Sequence, residues 1–381
     1  MLKSFFIESI LICSLIFNLL VMVSIYHFEG YKYYNYFYAS LIISLVIFLC
    51  TYFKFKKNIK IKSIFFIFFK IFYFFEFYTL VGTIYNFIIL TFFSDKNINL
   101  KKKCFDFLFN TLFFLCVCSI IEYLYCLYID DFFLTPVISP IKQGIIYNKG
   151  FFNSFLETFD GIRFIRMLSI FNEPGYLGTF LGIFILFTKK ENKIKMGIIY
   201  LAGFLTVSTA FLYFIFMKFL IENLSLKKCF KFFVYCFILV NLLFVCKNND
   251  FINKYVIIKI EKIIKNKDLN RSSIEDKKIL KEFYKNGNII LGERKEFKSN
   301  GGHTLGMLIY QVGIIGVIID IILFLNIANF FSIKFLKTKL LILIALSSIL
   351  QRPEILSVTT LLCIYCGPFH YNQKLMNLKG D

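Results

Sequence analysis

The chain alternates long apolar stretches with short lysine runs. The runs are "KFKKNIKIK" (54–62), "KNINLKKK" (96–103), "KKENKIK" (189–195), "SLKKCFK" (225–231) and "KFLKTK" (334–339). Lysine-rich connections between membrane spans collect on the cytoplasmic side, so each interval between two runs has to cross the bilayer and return. One pass needs roughly 20 residues. Residues 104–188 then hold a span at 105–129, an outside segment at 130–165 and a return at 170–188. Residues 232–333 hold a span at 232–246, a polar outside loop at 247–302 and a return through 304–332. Residues 340–369 turn outside at "QRPE" (351–354), and the stretch from Phe5 to Tyr26 reads as a first span.

Two intervals, 63–93 and 196–220, are short for two full spans and long for one. Each fits a pair of short, broken helices or a re-entrant hairpin buried in protein, because irregular backbone does not survive against lipid. In the second, "LTVSTA" (205–210) sits where a turn is required. The predicted architecture is an all-α polytopic membrane protein of about 10–12 transmembrane helices with one large extracytoplasmic loop. It divides into an N-terminal transmembrane bundle (1–246), the loop (247–302), and C-terminal transmembrane helices with a short cytoplasmic tail (303–381).

Inside the loop, "YVIIKIEKIIKNK" (255–267) alternates apolar and basic faces at helical spacing, which suits a helix on the outer membrane–water interface or one packed on the bundle. A further helix is predicted over "SSIEDKKILKEFYKNG" (272–287). Ser272 or Ser273 caps it, and Glu275 and Asp276 stand in its first turn. "NGN" ends it and an apolar turn, "IILGE" (289–293), follows.

Composition agrees with the pattern. Hydrophobic residues make up 58% of the chain and charged residues 18%, more apolar surface than a soluble domain hides. The net charge of +20 lies in the inter-span lysine runs, which argues for positive-inside topology and against nucleic-acid binding. The eleven cysteines are scattered, and Cys363 and Cys366, although spaced CxxC, fall in an apolar run that favours packing. No phosphate-binding P-loop, dinucleotide fingerprint or HExxH zinc motif occurs.

Two clusters carry candidate chemistry. In "GIRFIRMLSIFNEPGYLG" (161–178), Arg163, Arg166 and Ser169 share one face if the segment is helical. Pro174 starts the next helix, with Glu173 at its positive end. Arginines at a membrane boundary either grip a lipid diphosphate bidentately or simply anchor the span at the headgroups. The second cluster runs from Arg271 to "SNGGHT", which places His303 at the mouth of the following span. A histidine there is either a proton acceptor near neutral pH or an interfacial helix-start residue. Asp130 and Asp131 at a span end, and Lys70 with Glu76 inside an apolar interval, are weaker acidic alternatives.

The order of these pieces is more specific than any one of them. Arg166 and Ser169 lead to Glu173 and Pro174; "LTVS" (205–208) follows; Arg271 and Gly292 stand in the outside loop; His303 precedes "GIIG" (313–316). Over residues 104–330 this order resembles the O-antigen ligase and polymerase superfamily of bacterial envelope glycosyltransferases, including Wzy-type repeat-unit polymerases. The chain has Ser208–Thr209 where members often carry Ser-Arg, and Thr304 where Asn is common.

The resemblance implies a multi-pass protein of the bacterial cytoplasmic (inner) membrane with its active site on the extracytoplasmic face. It implies transfer of glycan from an undecaprenyl diphosphate-linked oligosaccharide to the hydroxyl of a lipid-linked repeat unit, in O-antigen, capsule or lipopolysaccharide synthesis. Arg166 and Arg271 then stabilise the leaving diphosphate, and His303 is the general base or orients the acceptor. Arg163, Ser169, Glu173 and Ser208 contribute to substrate binding. No metal and no cofactor is expected; membrane lipid, a flippase and a chain-length regulator are the expected partners. A ligase acting on a different acceptor, and a secondary transporter clamping an anionic solute on broken helices at the midplane, remain as alternatives.

Overall fold

The computed structural model describes residues 90–128, 135–138, 146–149, 154–156, 174–189, 192–206, 208–223, 274–294, 305–350 and 358–377, with positions 167, 169, 171 and 297 between them. Among the described residues the chain is mostly helical. The elements in order are α1 (Ile98–Tyr128), β1 (Thr135–Ile138), β2 (Ile146–Lys149), β3 (Ser154–Leu156), α2 (Pro174–Leu186), α3 (Lys193–Leu205) and α4 (Thr209–Glu222). After these come α5 (Ile274–Asn286), α6 (Leu305–Ile327), α7 (Leu336–Leu346) and α8 (Val358–Asn377). Single 3-10 turns lie at Phe330–Ser332 and Ser347–Leu350. The first expected span at 5–26, residues 63–89 of the interval 63–93, the expected span 232–246, the helix at 255–267, and Lys70, Glu76, Asp130 and Asp131 lie outside the described residues.

Local chemistry sets several helix ends. Asn97 accepts from the N–H groups of Asn99 and Leu100 at 3.0 and 3.3 Å, which satisfies otherwise orphaned donors at the start of α1. Asn192 does the same for α3, accepting from Ile194 and Lys195. Pro174 opens α2, where its missing N–H costs nothing. The interval 196–220 is a pair of short helices, α3 capped at Thr206 and α4 entered at Ser208, both inside "LTVSTA". Thirteen or fourteen residues make about 20 Å of helix, short of the roughly 30 Å hydrocarbon core.

Among the described residues two helices, α1 over Ile98–Tyr125 and α6, are long and apolar enough to cross a membrane. The core is formed where α1, α2, α4, α7 and α8 meet, around fully buried Phe105, Phe184, Phe187, Phe211, Phe214 and Tyr371. Glycines let the helices close. A Cβ at Gly182 would stand 2.5 Å from the Phe214 ring, and one at Gly203 would stand 2.0 Å from Phe211. His370 of α8 stacks on Phe105 of α1 with ring centroids 3.6 Å apart. Cys363 and Cys366 are free, fully buried thiols in this packing.

Among the described residues the fold departs from an all-helical expectation at one sheet. β1, β2 and β3 form a three-stranded antiparallel sheet, with Thr135 opposite Lys149, Ile138 opposite Ile146, and Tyr147 opposite Leu156. The strands are three or four residues each, too short for hydropathy to register. The signal lies in the punctuation, where Pro140 and Gly144 separate two runs of β-branched and aromatic residues.

Candidate functional site

Before Pro174 the first cluster is not helical at its described positions, Met167, Ser169 and Phe171. The Met167 N–H donates to the carbonyl of Leu205 at 3.2 Å, so this segment pairs with the end of α3 instead of bonding within itself. Ser169 has φ +55°, a left-handed backbone uncommon for a residue with a side chain, and is buried. The Ser119 hydroxyl in α1 donates to the Ser169 hydroxyl at 2.8 Å. The expectation that Arg163, Arg166 and Ser169 line one helical face is therefore corrected at its Ser169 end. The long-range backbone pairing replaces the local i to i−4 bond.

The same segment then runs into α2, which lies against the "LTVS" turn. A Cβ at Gly178 would stand 2.3 Å from the Ser208 Cβ, 2.6 Å from its hydroxyl and 2.9 Å from the Thr206 hydroxyl. Ser208 is buried and occupies the N-cap position of α4. Its side chain makes no capping bond there and faces α2 instead. Phe171 packs the junction through stacking on Tyr176 and contact with Phe180, at centroid distances of 5.8 and 5.7 Å. Two motifs separated by about thirty residues of sequence are thus one structural unit.

The second unit joins the outside loop to α6. Helix α5 ends at Asn286, as the "NGN" signal requires, and the turn at 289–291 follows. The loop crosses α6 where that helix is broken at Gly313, which has φ 65° and ψ 176°. In an unbroken helix Ile314 and Ile315 would donate to Tyr310 and Gln311. Here Ile314 and Ile315 donate to Ile289 and Ile290, at 3.0 and 3.2 Å. Glu293 and Arg294 donate to Tyr310 and Gln311, at 2.7 and 3.0 Å. Two helical bonds are replaced by four bonds to the inserted loop, which meets the demand that no backbone group be left bare in an apolar setting.

Of the residues singled out from sequence, Ser169, Ser208 and Gly292 fall in these two units. His303, Arg271, Arg166, Arg163 and Glu173 lie outside the described residues. Several members were not singled out beforehand. Ser119 is a small hydroxyl within an apolar span, and the sequence pairs it with nothing. Gly313 was noted only as part of "GIIG"; nothing in the sequence pairs it with Gly292. Lys218 and Asp320 are buried charges within apolar helices, a pattern that sequence inspection can flag. Lys218 closes the end of α2, donating to the carbonyls of Ile185 and Thr188 and to the Thr188 hydroxyl, with Glu222 3.9 Å away.

Comparison of the chain with protein-family models, with curated proteins and with solved structures finds no match.

Proposed function

We propose that the chain is a multi-pass membrane glycosyltransferase that polymerises lipid-diphosphate-linked glycan repeat units on the extracytoplasmic face. The observation that carries this reading is the order of its motifs. Arg166-x-x-Ser169, Glu173-Pro174, "LTVS", Arg271, Gly292, His303 and "GIIG" occur in one sequence, in the order of the O-antigen ligase and polymerase superfamily. Contact between two members of that series lends it support, since Gly292 packs on Gly313, and Gly178, four residues after Pro174, packs on Ser208 of "LTVS". Membrane embedding draws support from α1 and α6. Only 44% and 39% of their most apolar windows are buried, which is unlike the core helices of a soluble protein.

In this mechanism the acceptor hydroxyl attacks the anomeric carbon of the donor and the lipid diphosphate leaves. His303 takes the hydroxyl proton as the C–O bond forms. Arg166 and Arg271 hold the diphosphate as negative charge builds on it, with bidentate geometry that a lysine does not provide. Arg271 in the outside loop and His303 just after it bound the segment 271–303, so ordering that segment brings base and anion site into one frame.

One observation favours the transporter reading, namely the break in α6. Broken helices in transporters leave free backbone dipoles for substrate. At Gly313 the groups freed by the break are taken up by residues 289, 290, 293 and 294, so those dipoles are committed within the chain.

The test is the surface glycan of a deletion strain, analysed by gel and complemented with wild type or His303→Ala at matched protein level. Polymerase function predicts that deletion collapses a ladder to single repeat units, which wild type restores and the alanine variant does not. Long polymer retained on its lipid carrier would instead assign a ligase. An unchanged glycan in every strain would sink both enzymatic readings.

A further inference from the structure

Beside the crossing of the loop and α6 lies an open cleft of about 260 Å³. It is lined by Glu282, Phe283 and Asn286 of α5, by Gly287 and Glu293 of the loop, and by Tyr310 of α6. We propose that this cleft is a subsite for one uncharged sugar residue of the glycan, a proposal that rests on the glycosyltransferase reading above.

The lining has the two components a pyranose requires. Glu282 and Glu293 offer carboxylate acceptors and Asn286 an amide, groups that take paired hydrogen bonds from neighbouring hydroxyls. Half-buried Tyr310 supplies aromatic surface for the C–H face of the ring, and buried Phe283 backs it. Their centroids are 5.0 Å apart and their planes are inclined at 61°, so they form a corner and not a flat wall. Phe297 braces Tyr310 from another side at 5.0 Å and 88°.

Size and charge narrow the occupant. Clefts for drug-sized ligands run from about 300 to 1,000 Å³, so about 260 Å³ takes a single monosaccharide unit. The carboxylates do not make the cleft strongly anionic. Lys278 and Lys285 stand one turn before and after Glu282 on its face of α5, and Arg294 follows Glu293. That balance weakens the case for a divalent cation, and the carboxylates themselves disfavour an acidic sugar.

The walls are fixed before any ligand arrives. Glu293 donates its N–H to the carbonyl of Tyr310, so these two lining residues are tied by the same bonds that fill the break in α6. At Gly287 a Cβ would stand 2.3 Å from Phe283 and 2.9 Å from the Glu293 carboxylate, and any side chain there would intrude on the cleft.

The test is saturation-transfer NMR on the full-length chain in nanodiscs with three probes: methyl glucoside, methyl N-acetylglucosaminide and methyl glucuronide. Wild type is expected to transfer saturation to at least one neutral glycoside and not to the glucuronide. Glu293→Gln, which keeps the shape of the side chain, weakens the neutral glycoside by about tenfold; Lys281→Ala, outside the cleft, leaves it unchanged. The proposal is overturned if wild type binds none of the probes, if Glu293→Gln binds as wild type does, or if transfer occurs only with added calcium. Binding that depends on Glu293 in a chain whose deletion leaves surface glycan unaltered would reject the transferase reading and keep the subsite. A ladder that needs the chain but is restored in full by Glu293→Gln, with no glycoside bound, would do the reverse.

Discussion

Gly292 and Gly313 meet backbone to backbone. A Cβ at Gly292 would lie 2.4 Å from the Gly313 nitrogen, and a Cβ at Gly313 would lie 2.3 Å from the Ile290 oxygen. Both have positive φ, at 71° and 65°. Each position therefore needs glycine for two separate reasons, the dihedral and the absent Cβ.

Alanine at either position is expected to destabilise the chain by about 3 kcal/mol or more, since strained backbone and a collision with main-chain atoms add. Gly197→Ala is the matched control. It lies in α3 with nothing within 4 Å of its Cβ, and gains about 0.5–1 kcal/mol from improved helix propensity. Thermal unfolding midpoints of the detergent-solubilised proteins check the contrast, and equal shifts for all three would reject the crossing.

Gly178→Ala should push α2 away from the "LTVS" turn and lower the unfolding midpoint without removing any reactive group, and under the proposed function it lowers glycan polymerisation as well. Ser208→Gly clears most of the space and, because the Ser208 side chain caps nothing, costs only a few tenths of a kcal/mol by itself. The double variant is then more stable than the sum of the single ones, by about 1–2 kcal/mol in a double-mutant cycle. Strict additivity would mean that the two elements do not touch.

Lys218 offers a test of the α2 terminus. Lys218→Met leaves the carbonyls of Ile185 and Thr188 without the ammonium that reaches them, at an expected cost of about 3 kcal/mol. Glu222→Gln should cost less than about 1 kcal/mol, because its ion pair is 3.9 Å long and its side chain is about one-third exposed. Tyr371 donates to Glu222 at 3.2 Å and can still donate to the glutamine. Comparing the two melting shifts separates helix capping from ion pairing.

Ile121, two turns before the end of α1, is 62% exposed. In a bilayer, Ile121→Lys costs insertion energy, at most the roughly 3 kcal/mol of a lysine at a helix centre, and should reduce the carbonate-resistant membrane fraction. On a water-facing helix the same change stays within about 0.5 kcal/mol and leaves the fraction alone.

The short-range features were legible beforehand. Pro174 opening α2, the turn between α3 and α4, the end of α5 at "NGN" and the burial of Cys363 and Cys366 all depend on neighbours in sequence or on local hydropathy. The sheet at 135–156 was missed because each strand is shorter than the window over which alternation shows.

By itself, then, the amino-acid order determined where apolar helices start, stop and turn, because capping, proline geometry and hydrophobic patterning act within a few residues. Tertiary structure alone decided the left-handed backbone of Ser169, the seat of Met167 on Leu205, and the loop threaded at Gly313. At Met167 and at Gly313 a backbone group takes a distant partner in place of the local one, and at Ser169 the hydroxyl meets Ser119, fifty residues away. The energy of that exchange depends on which surfaces meet, and a linear pattern of side chains does not encode it.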